Sequence, residues 1–441
     1  MDCITRLDIV LDKEVYSAGD DIHAYVAIDN NDNVKVRGIR AVLRGRAHAE
    51  WKIMRSGERR TVKDDQVLLD EKLLVWGKDR HEEGCFPILP IGYHRFPMVF
   101  SLPADPPLPY SFESKSGTIR YFIRVVVDIP YASSPHCTKY FSVIGPPIDC
   151  MEEKYQTPMV GEDKRNDWSW CCLRGSIGLQ ILLERTAYMC GEVIGVKVQI
   201  DNQIDQESWA KIRLTQVTFQ HVEYFINKGV LGVAKTVSYV VLEHQTPRVL
   251  PRSRRRFDTS LEKTFKLPVV PPTLIGFCRL IQIYYVLTVS LEILKATKSR
   301  LSIDFPFTVA TVPPRHTLKP APTLSYVYCS SHVEGGMYVS PEFQLGQVYD
   351  GSTAEHDHIL LYRPVYVCIS DRKEEPFEVV KLTADDSSEN KPVKTRTDEQ
   401  AEDQCHRLHV SATVHSADAN FSDDQSAVAE ERRIVKQTFA S

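Results

Sequence analysis

From Ile119 the chain alternates. Ile119, Tyr121, Ile123, Val125 and Val127 are apolar, while Arg120 and Arg124 fall between them, the period-two signature of a strand with one buried face. Short runs rich in Val, Ile, Tyr and Phe occupy residues 3–11, 22–29, 34–48, 66–76, 93–101, 119–130 and 138–144, with Gly, Pro, Asn and Asp between them. A second set lies at 176–184, 193–201, 210–226, 230–243, 256–267, 278–293 and 302–311. No helical period interrupts either set, so the pattern predicts antiparallel β-sandwiches and not βαβ units.

The two sets are copies of one module. Val15–Asn30 reads VYSAGDDIHAYVAIDN and Ala187–Asn202 reads AYMCGEVIGVKVQIDN, at a constant offset of 172 positions. Tyr16 matches Tyr188, Gly19 matches Gly191, and Val26, Ile28, Asp29 and Asn30 match Val198, Ile200, Asp201 and Asn202. Further on, Ile39 and Arg40 face Ile212 and Arg213, Trp51 faces Tyr224, and Leu102-Pro103 with Pro106-Pro107 faces Leu267-Pro268 with Pro271-Pro272. Tyr121 then meets Tyr285. So long a period describes tandem domains and not a solenoid. Each glycine is expected in the turn from the first strand to the second, and each Asp-Asn pair at that second strand's end.

The boundaries follow from the punctuation. The first domain is expected over 1–147, ending at Gly145-Pro146-Pro147, and the second over 169–314, ending at Val312-Pro313-Pro314. Residues 148–168 are polar without a period and read as a linker. From Asp371 to Asp424 aromatic residues nearly vanish, so 315–441 is expected to be a largely disordered tail, too poor in apolar surface to offset its ordering entropy.

Charge sharpens the division. Residues 315–441 carry 13 Lys and Arg against 21 Asp and Glu, leaving 41 against 37 for residues 1–314: a mildly basic body precedes an acidic tail. The N-terminal MDCITRLDIVLDK has no basic region followed by an apolar core, so no secretory signal is expected. The most apolar segment, Leu280–Leu294, carries Gln282 and Glu292 and falls short of the roughly 20 residues of a membrane helix. Eleven cysteines, an odd number without scaffold spacing, fit a reducing compartment.

Several motifs in order carry a family resemblance: GRAHAEW at 45–51, LPYSFESKSGTIRY at 108–121, WCCLRGSIGLQILLERTAYMCGEVIGVKVQIDN at 170–202, and CRLIQIYYVL at 278–287. With the duplicated Leu-Pro-x-x-Pro-Pro turn, they make the chain resemble arrestin domain-containing proteins of the alpha-arrestin family. The resemblance implies two tandem immunoglobulin-like β-sandwiches and a tail outside the fold. It also implies a cytoplasmic adaptor, recruited to plasma membrane and endosomes, that binds membrane cargo such as receptors and transporters and links it to ubiquitination and endocytosis. No catalysis and no cofactor are implied. Alpha-arrestins commonly carry PPxY motifs that dock into WW domains of HECT-type ubiquitin ligases; this chain has none, and Arg363-Pro364-Val365-Tyr366 lacks the first proline. The PPLPY at 106–110 lies in the repeated turn and reads as structural.

Candidate contacts are few. Arg252, Arg254, Arg255 and Arg256 cluster between two strands and suit anionic lipid or a phosphorylated cargo tail. Nucleic acid is set aside, since no recognition motif surrounds them and the chain is not strongly basic. In the tail, Asp357–Leu361 (DHILL) and Tyr366–Ile369 (YVCI) resemble sorting signals read by vesicle-coat adaptors, which singles out Asp357, Leu360, Leu361, Pro364, Tyr366 and Ile369. Cys171-Cys172, beside Trp168 and Trp170, reads as the buried opening of the second domain and not as a lipidation site. His356-Asp357-His358 and Cys405-His406 lie in or near the tail, outside any rigid shell, and no HExxH, P-loop, CxxC or GxSxG occurs. Two alternatives stand beside the adaptor: a constitutive sorting-complex subunit of the related retromer type, and an enzyme with a cysteine nucleophile.

Overall fold

The computed structural model describes residues 3–314, apart from breaks at 56, 80–81, 83, 115, 170–171, 227–228, 263 and 295–300, and then 323–328, 349–350, 360–361 and 364–370. His356–His358, Asp357 of DHILL and Cys405-His406 lie outside the described residues.

In chain order the first half contains β1 (Ile4–Leu11), β2 (Val15–Ser17), β3 (Asp21–Asn30), β4 (Val34–Lys35), β5 (Gly38–Arg55), β6 (Glu58–Gly77), β7 (Ile88–Leu89), β8 (Gly92–Ser101), β9 (Phe112–Glu113), β10 (Gly117–Asp128) and β11 (His136–Ile144). After α1 (Glu153–Gln156) come β12 (Met159–Ser169), β13 (Cys172–Leu183), β14 (Ala187–Met189), β15 (Val196–Asn202), β16 (Ser208–Ile226), β17 (Gly229–Gln245), β18 (Ser253–Asp258), β19 (Ile281–Ile293) and β20 (Leu301–Ala310). Beyond the second half lie β21 (Thr323–Tyr328), β22 (Tyr349–Asp350), β23 (Leu360–Leu361) and β24 (Val365–Ser370).

Each half is a two-sheet sandwich. In the first, β1-β3-β8 faces β2-β11-β10-β5-β6, with β9 added to β10. In the second, β12-β13-β15-β18 faces β14-β20-β19-β16-β17. The alternation read from Ile119 to Val127 is the core side of β10: all five apolar residues are buried, and the strand lies between β5 and β11.

The repeated stretch connects the layers. In the first copy β2 pairs in parallel with β11, and the chain then crosses to β3 in the other sheet. In the second, β14 pairs in parallel with β20 before crossing to β15. Gly19 and Gly191 stand at these crossings with φ of +84° and +87°, a region in which a side chain is strained. The three-residue strands β2 and β14 escape the sequence pattern because they are too short to show a period.

Tyr16 packs edge-on against Phe141, and Tyr188 stacks on Phe307, both with ring centroids 5.3 Å apart. Asn30 and Asn202 are buried, and each amide ties down loops. Asn30 Nδ2 donates to the carbonyls of Asp32 and Pro90 at 2.7 Å, and Asn202 Nδ2 to those of Gln206, Val249 and Leu250. Tyr121 and Tyr285 donate to the carbonyls of Pro109 and Pro271 in the repeated proline turn, at 2.8 and 2.5 Å.

Three expectations need correction. The stretch read as a 148–168 linker contains β12, which pairs with β13 along its whole length. It shows no period because Met159 is the one apolar side chain on its core side; next on that side comes Gly161, where a Cβ would come within 2.8 Å of Ile303 and Phe305. The strand expected at 256–267 runs instead over β18, and stops where the Asp258 carboxylate accepts from Ser260 N at 3.0 Å and caps a turn. The stretch expected to be tail beyond 314 contains the antiparallel pair β21–β24. Val365–Ser370 reads VYVCIS, whose four strand-forming residues Val365, Tyr366, Val367 and Ile369 are diluted in the average composition of a 127-residue segment.

Candidate functional site: the outer face and edge of the second sandwich

The sheet β12-β13-β15-β18 turns alternate residues outward. Glu162, Gln180, Gln199 and Arg256 lie in register across its four strands, and Val160, Leu182, Lys197 and Asp258 form the next row. The first row is hydrogen-bonded: Gln199 Nε2 donates to Gln180 Oε1, and Arg256 Nε donates to Gln199 Oε1. Between the rows runs an open groove of about 670 Å³, bordered by Val160 and Leu261, which are 74% and 83% exposed. Lys197 at its side is paired with Glu184.

The arginine cluster divides in two. Arg252, at a left-handed φ of +55°, forms an ion pair with Asp205 at 2.9 Å. Arg254, Arg255 and Arg256 belong to β18, not to a loop between strands, and are exposed there. None of the three has a carboxylate partner among the described residues. Among the described residues β18 pairs only with β15 and ends its sheet, so among them this cationic strand presents an open edge.

The tail candidates fall differently. Pro364, Val365 and Tyr366 are buried, Tyr366 at 1% exposure, and the Tyr366 hydroxyl donates to the Ser111 carbonyl at 3.0 Å. Ile369 N donates to the Cys190 carbonyl at 3.0 Å. In this conformation Tyr366 and Ile369 are part of the fold, and neither is displayed as a linear signal. Leu360 and Leu361 form β23, paired with β22. Tyr110 of PPLPY is buried, with its hydroxyl donating to Pro146 O and accepting from Thr311 Oγ1, and burial pushes it up to about 12.

A polar clasp, which the sequence did not reveal, joins the sandwiches. Asp64 accepts from Arg279 at 2.8 Å and from Glu223 N at 3.2 Å, while Gln66 Oε1 accepts from Arg279 N at 2.9 Å. Ser116 Oγ donates to Gln220 Oε1 at 2.8 Å. Burial alone would raise the Asp64 carboxyl, but Arg279 and the backbone N–H groups of Glu223 and Asp65 hold it below the usual carboxylate range.

Burial, with a small push from Asp8, lifts the Cys137 thiol to about 12, and burial with Glu192 lifts Cys150 to about 11. Both are therefore protonated at neutral pH and poor nucleophiles. Among the described residues no cluster of three or more His, Cys, Asp or Glu is placed to hold a metal ion, and no helix is long and apolar enough to cross a membrane.

Residues 6–149 match the family described as "Arrestin (or S-antigen), N-terminal domain", and residues 173–314 match "Arrestin (or S-antigen), C-terminal domain". The chain is 26% identical over 307 residues to arrestin domain-containing protein 4 of Mus musculus, covering 68% of this chain and 70% of that protein. It is 24% identical over 323 residues to arrestin domain-containing protein 17 of Caenorhabditis elegans, covering 70% and 71%. Arrestin domain-containing protein 5 of Homo sapiens is 26% identical over 208 residues, 46% of this chain and 58% of that protein. With both arrestin domains present in order, each on one of the two sandwiches, the chain belongs to the arrestin family, among the arrestin domain-containing proteins.

Proposed function

We propose that this protein is a non-catalytic adaptor that gathers membrane cargo by binding acidic or phosphorylated cytoplasmic tails along β18, and is recruited to plasma membrane and endosomes through that cargo. The observation that carries this reading is the set of Arg254, Arg255 and Arg256, exposed on an open strand edge with no carboxylate partner among the described residues. An extended acidic segment laid on that edge gains main-chain hydrogen bonds together with charge-assisted ones from the guanidinium groups. The adjacent groove, bordered by exposed Val160 and Leu261, suits an apolar side chain of the same segment.

Linkage of cargo to ubiquitination and endosomal transport belongs to the same reading. The chain has no PPxY string, so recruitment of a HECT-type ligase would run through another contact. Vesicle-coat adaptors remain proposed partners of the tail's DHILL.

The test compares the native full chain with one carrying Arg254, Arg255 and Arg256 all changed to Ser. Binding to a phosphorylated acidic peptide should fall at least about tenfold and lose its salt dependence. Unchanged peptide binding would overturn the reading. Loss of binding to anionic vesicles with peptide binding intact would assign the strand to lipid.

A further inference from the structure

We propose that the seam between the two sandwiches is a receptor site for an extended peptide of the form tyrosine-x-x-aliphatic, and that Tyr366–Ile369 occupies it in cis. The proposal concerns a different surface from β18, and it rests on the adaptor reading only in expecting the competing peptide to come from a cargo tail.

The occupant meets the site with both faces of a strand, Tyr366 on one and Ile369 on the other. Tyr366 sends its hydroxyl to the Ser111 carbonyl of the first sandwich at 3.0 Å. Cys368 stands in a parallel bridge with Cys190 of the second sandwich, and the next amide, Ile369 N, donates to Cys190 O at 3.0 Å. Val367 and Ile369 pack on a small cluster formed by Cys150, Ala187, Met189 and Ala310. These hydrogen bonds and apolar side chains join to the sandwiches a strand that β21 also pairs along its length, and that lies some 50 residues past the end of the second sandwich.

The receptor half is held by contacts that do not involve the occupant. Ser111 is fixed to β11, its N–H donating to Val143 O at 3.1 Å and its Oγ accepting from Val143 N at 2.9 Å. Gly191 N donates to Leu267 O at 2.8 Å. The two acceptor carbonyls are therefore aimed before any strand arrives, which lowers the cost of binding one.

Comparison of the two copies shows that the site is built and not incidental to the repeat. At Gly191 an added Cβ would lie 2.4 Å from Ile369 O, whereas at Gly19 the nearest atom is Ala104 Cβ at 3.6 Å. The same turn glycine leaves an open neighbourhood in the first copy and admits a docked backbone in the second.

The probe is a fluorescent peptide with the sequence of residues 364–370 and Ser for Cys, titrated into the full chain. Tyr366→Ala weakens the cis occupant, so the variant is expected to bind the peptide at least about tenfold more tightly than the native chain does. A peptide with Phe for Tyr is expected to bind at least about fivefold more weakly, because the buried Ser111 carbonyl loses its donor. In parallel, hydrogen exchange on the native chain at saturating peptide should show faster exchange at 365–370 with 187–191 still protected. That measurement decides the matter if Tyr366→Ala does not fold. Equal affinity of the folded variant and native chain, equal affinity of the Tyr and Phe peptides, or an unchanged exchange pattern at 365–370 would overturn the proposal.

Discussion

Arg279 donates to Asp64 at 2.8 Å, and this bond joins β6 of the first sandwich to the segment entering β19 of the second. Asp64 is mostly covered and Arg279 is half exposed, so the pair is neither a fully solvated surface contact nor a buried one. Asp64→Asn is expected to cost about 1 kcal/mol, within the range for partly exposed ion pairs. A double-mutant cycle in the denaturation midpoint with Arg279→Gln should return a coupling energy of that order. Additive single effects would mean the two groups do not support each other.

The same clasp predicts acid sensitivity. Burial raises Asp64 and Asp65, but hydrogen bonds outweigh it: Arg279 and backbone N–H groups act on Asp64, Arg46 and His48 on Asp65, and both carboxyls are held below the usual range. A carboxyl lowered in the folded state binds its proton more weakly folded than unfolded. Its contribution is complete above the unfolded value of about 4 and is lost as pH falls through the folded value. Melting temperature should therefore drop below about pH 4, and less steeply in Asp64→Asn than in the native chain.

Equivalent residues in the two copies should respond alike. Tyr121→Phe removes the donor to Pro109 O and Tyr285→Phe the donor to Pro271 O. Both acceptors lie in buried surroundings, so each change should cost about 1–2 kcal/mol. Tyr285 also bonds Gln216 Oε1 at 3.0 Å, which places its loss at the upper end. Thermal melts of the two variants check the ranking.

These tyrosines also show where the sequence was legible. Tyr121 and Tyr285 matched because each anchors a strand that is buried on one face, so burial imposes the period the eye can follow. β12 escapes the pattern since Met159 is its one apolar inward side chain, Gly161 packs by backbone alone, and the sheet-end strand otherwise carries charge on both faces. The arginines were found as a cluster, but the string cannot show that Asp205 engages Arg252 while the other three lie along a strand edge. The motif singles out Tyr366, but it gives no sign that the side chain is buried against the first sandwich. Its partner Ser111 lies 255 positions away, a separation that local pattern does not encode.

The paired glycines allow a last prediction that separates backbone strain from docking. Gly19→Ala places a side chain at φ +84° with its nearest neighbour 3.6 Å away, so only the left-handed penalty applies, about 1–2 kcal/mol. Gly191→Ala carries the same penalty at φ +87° and also drives its Cβ to 2.4 Å from Ile369 O. The sandwich can relieve that second clash by releasing β24, because neither sheet of the second sandwich depends on it. Both variants should therefore lose similar stability in the β19 and β20 core. Hydrogen exchange at Val365–Ser370 should accelerate by an order of magnitude or more in Gly191→Ala alone, corresponding to at least about 1.4 kcal/mol of lost docking energy. Equal exchange in the two variants would mean that the close approach of Ile369 to Gly191 does not hold β24 in place.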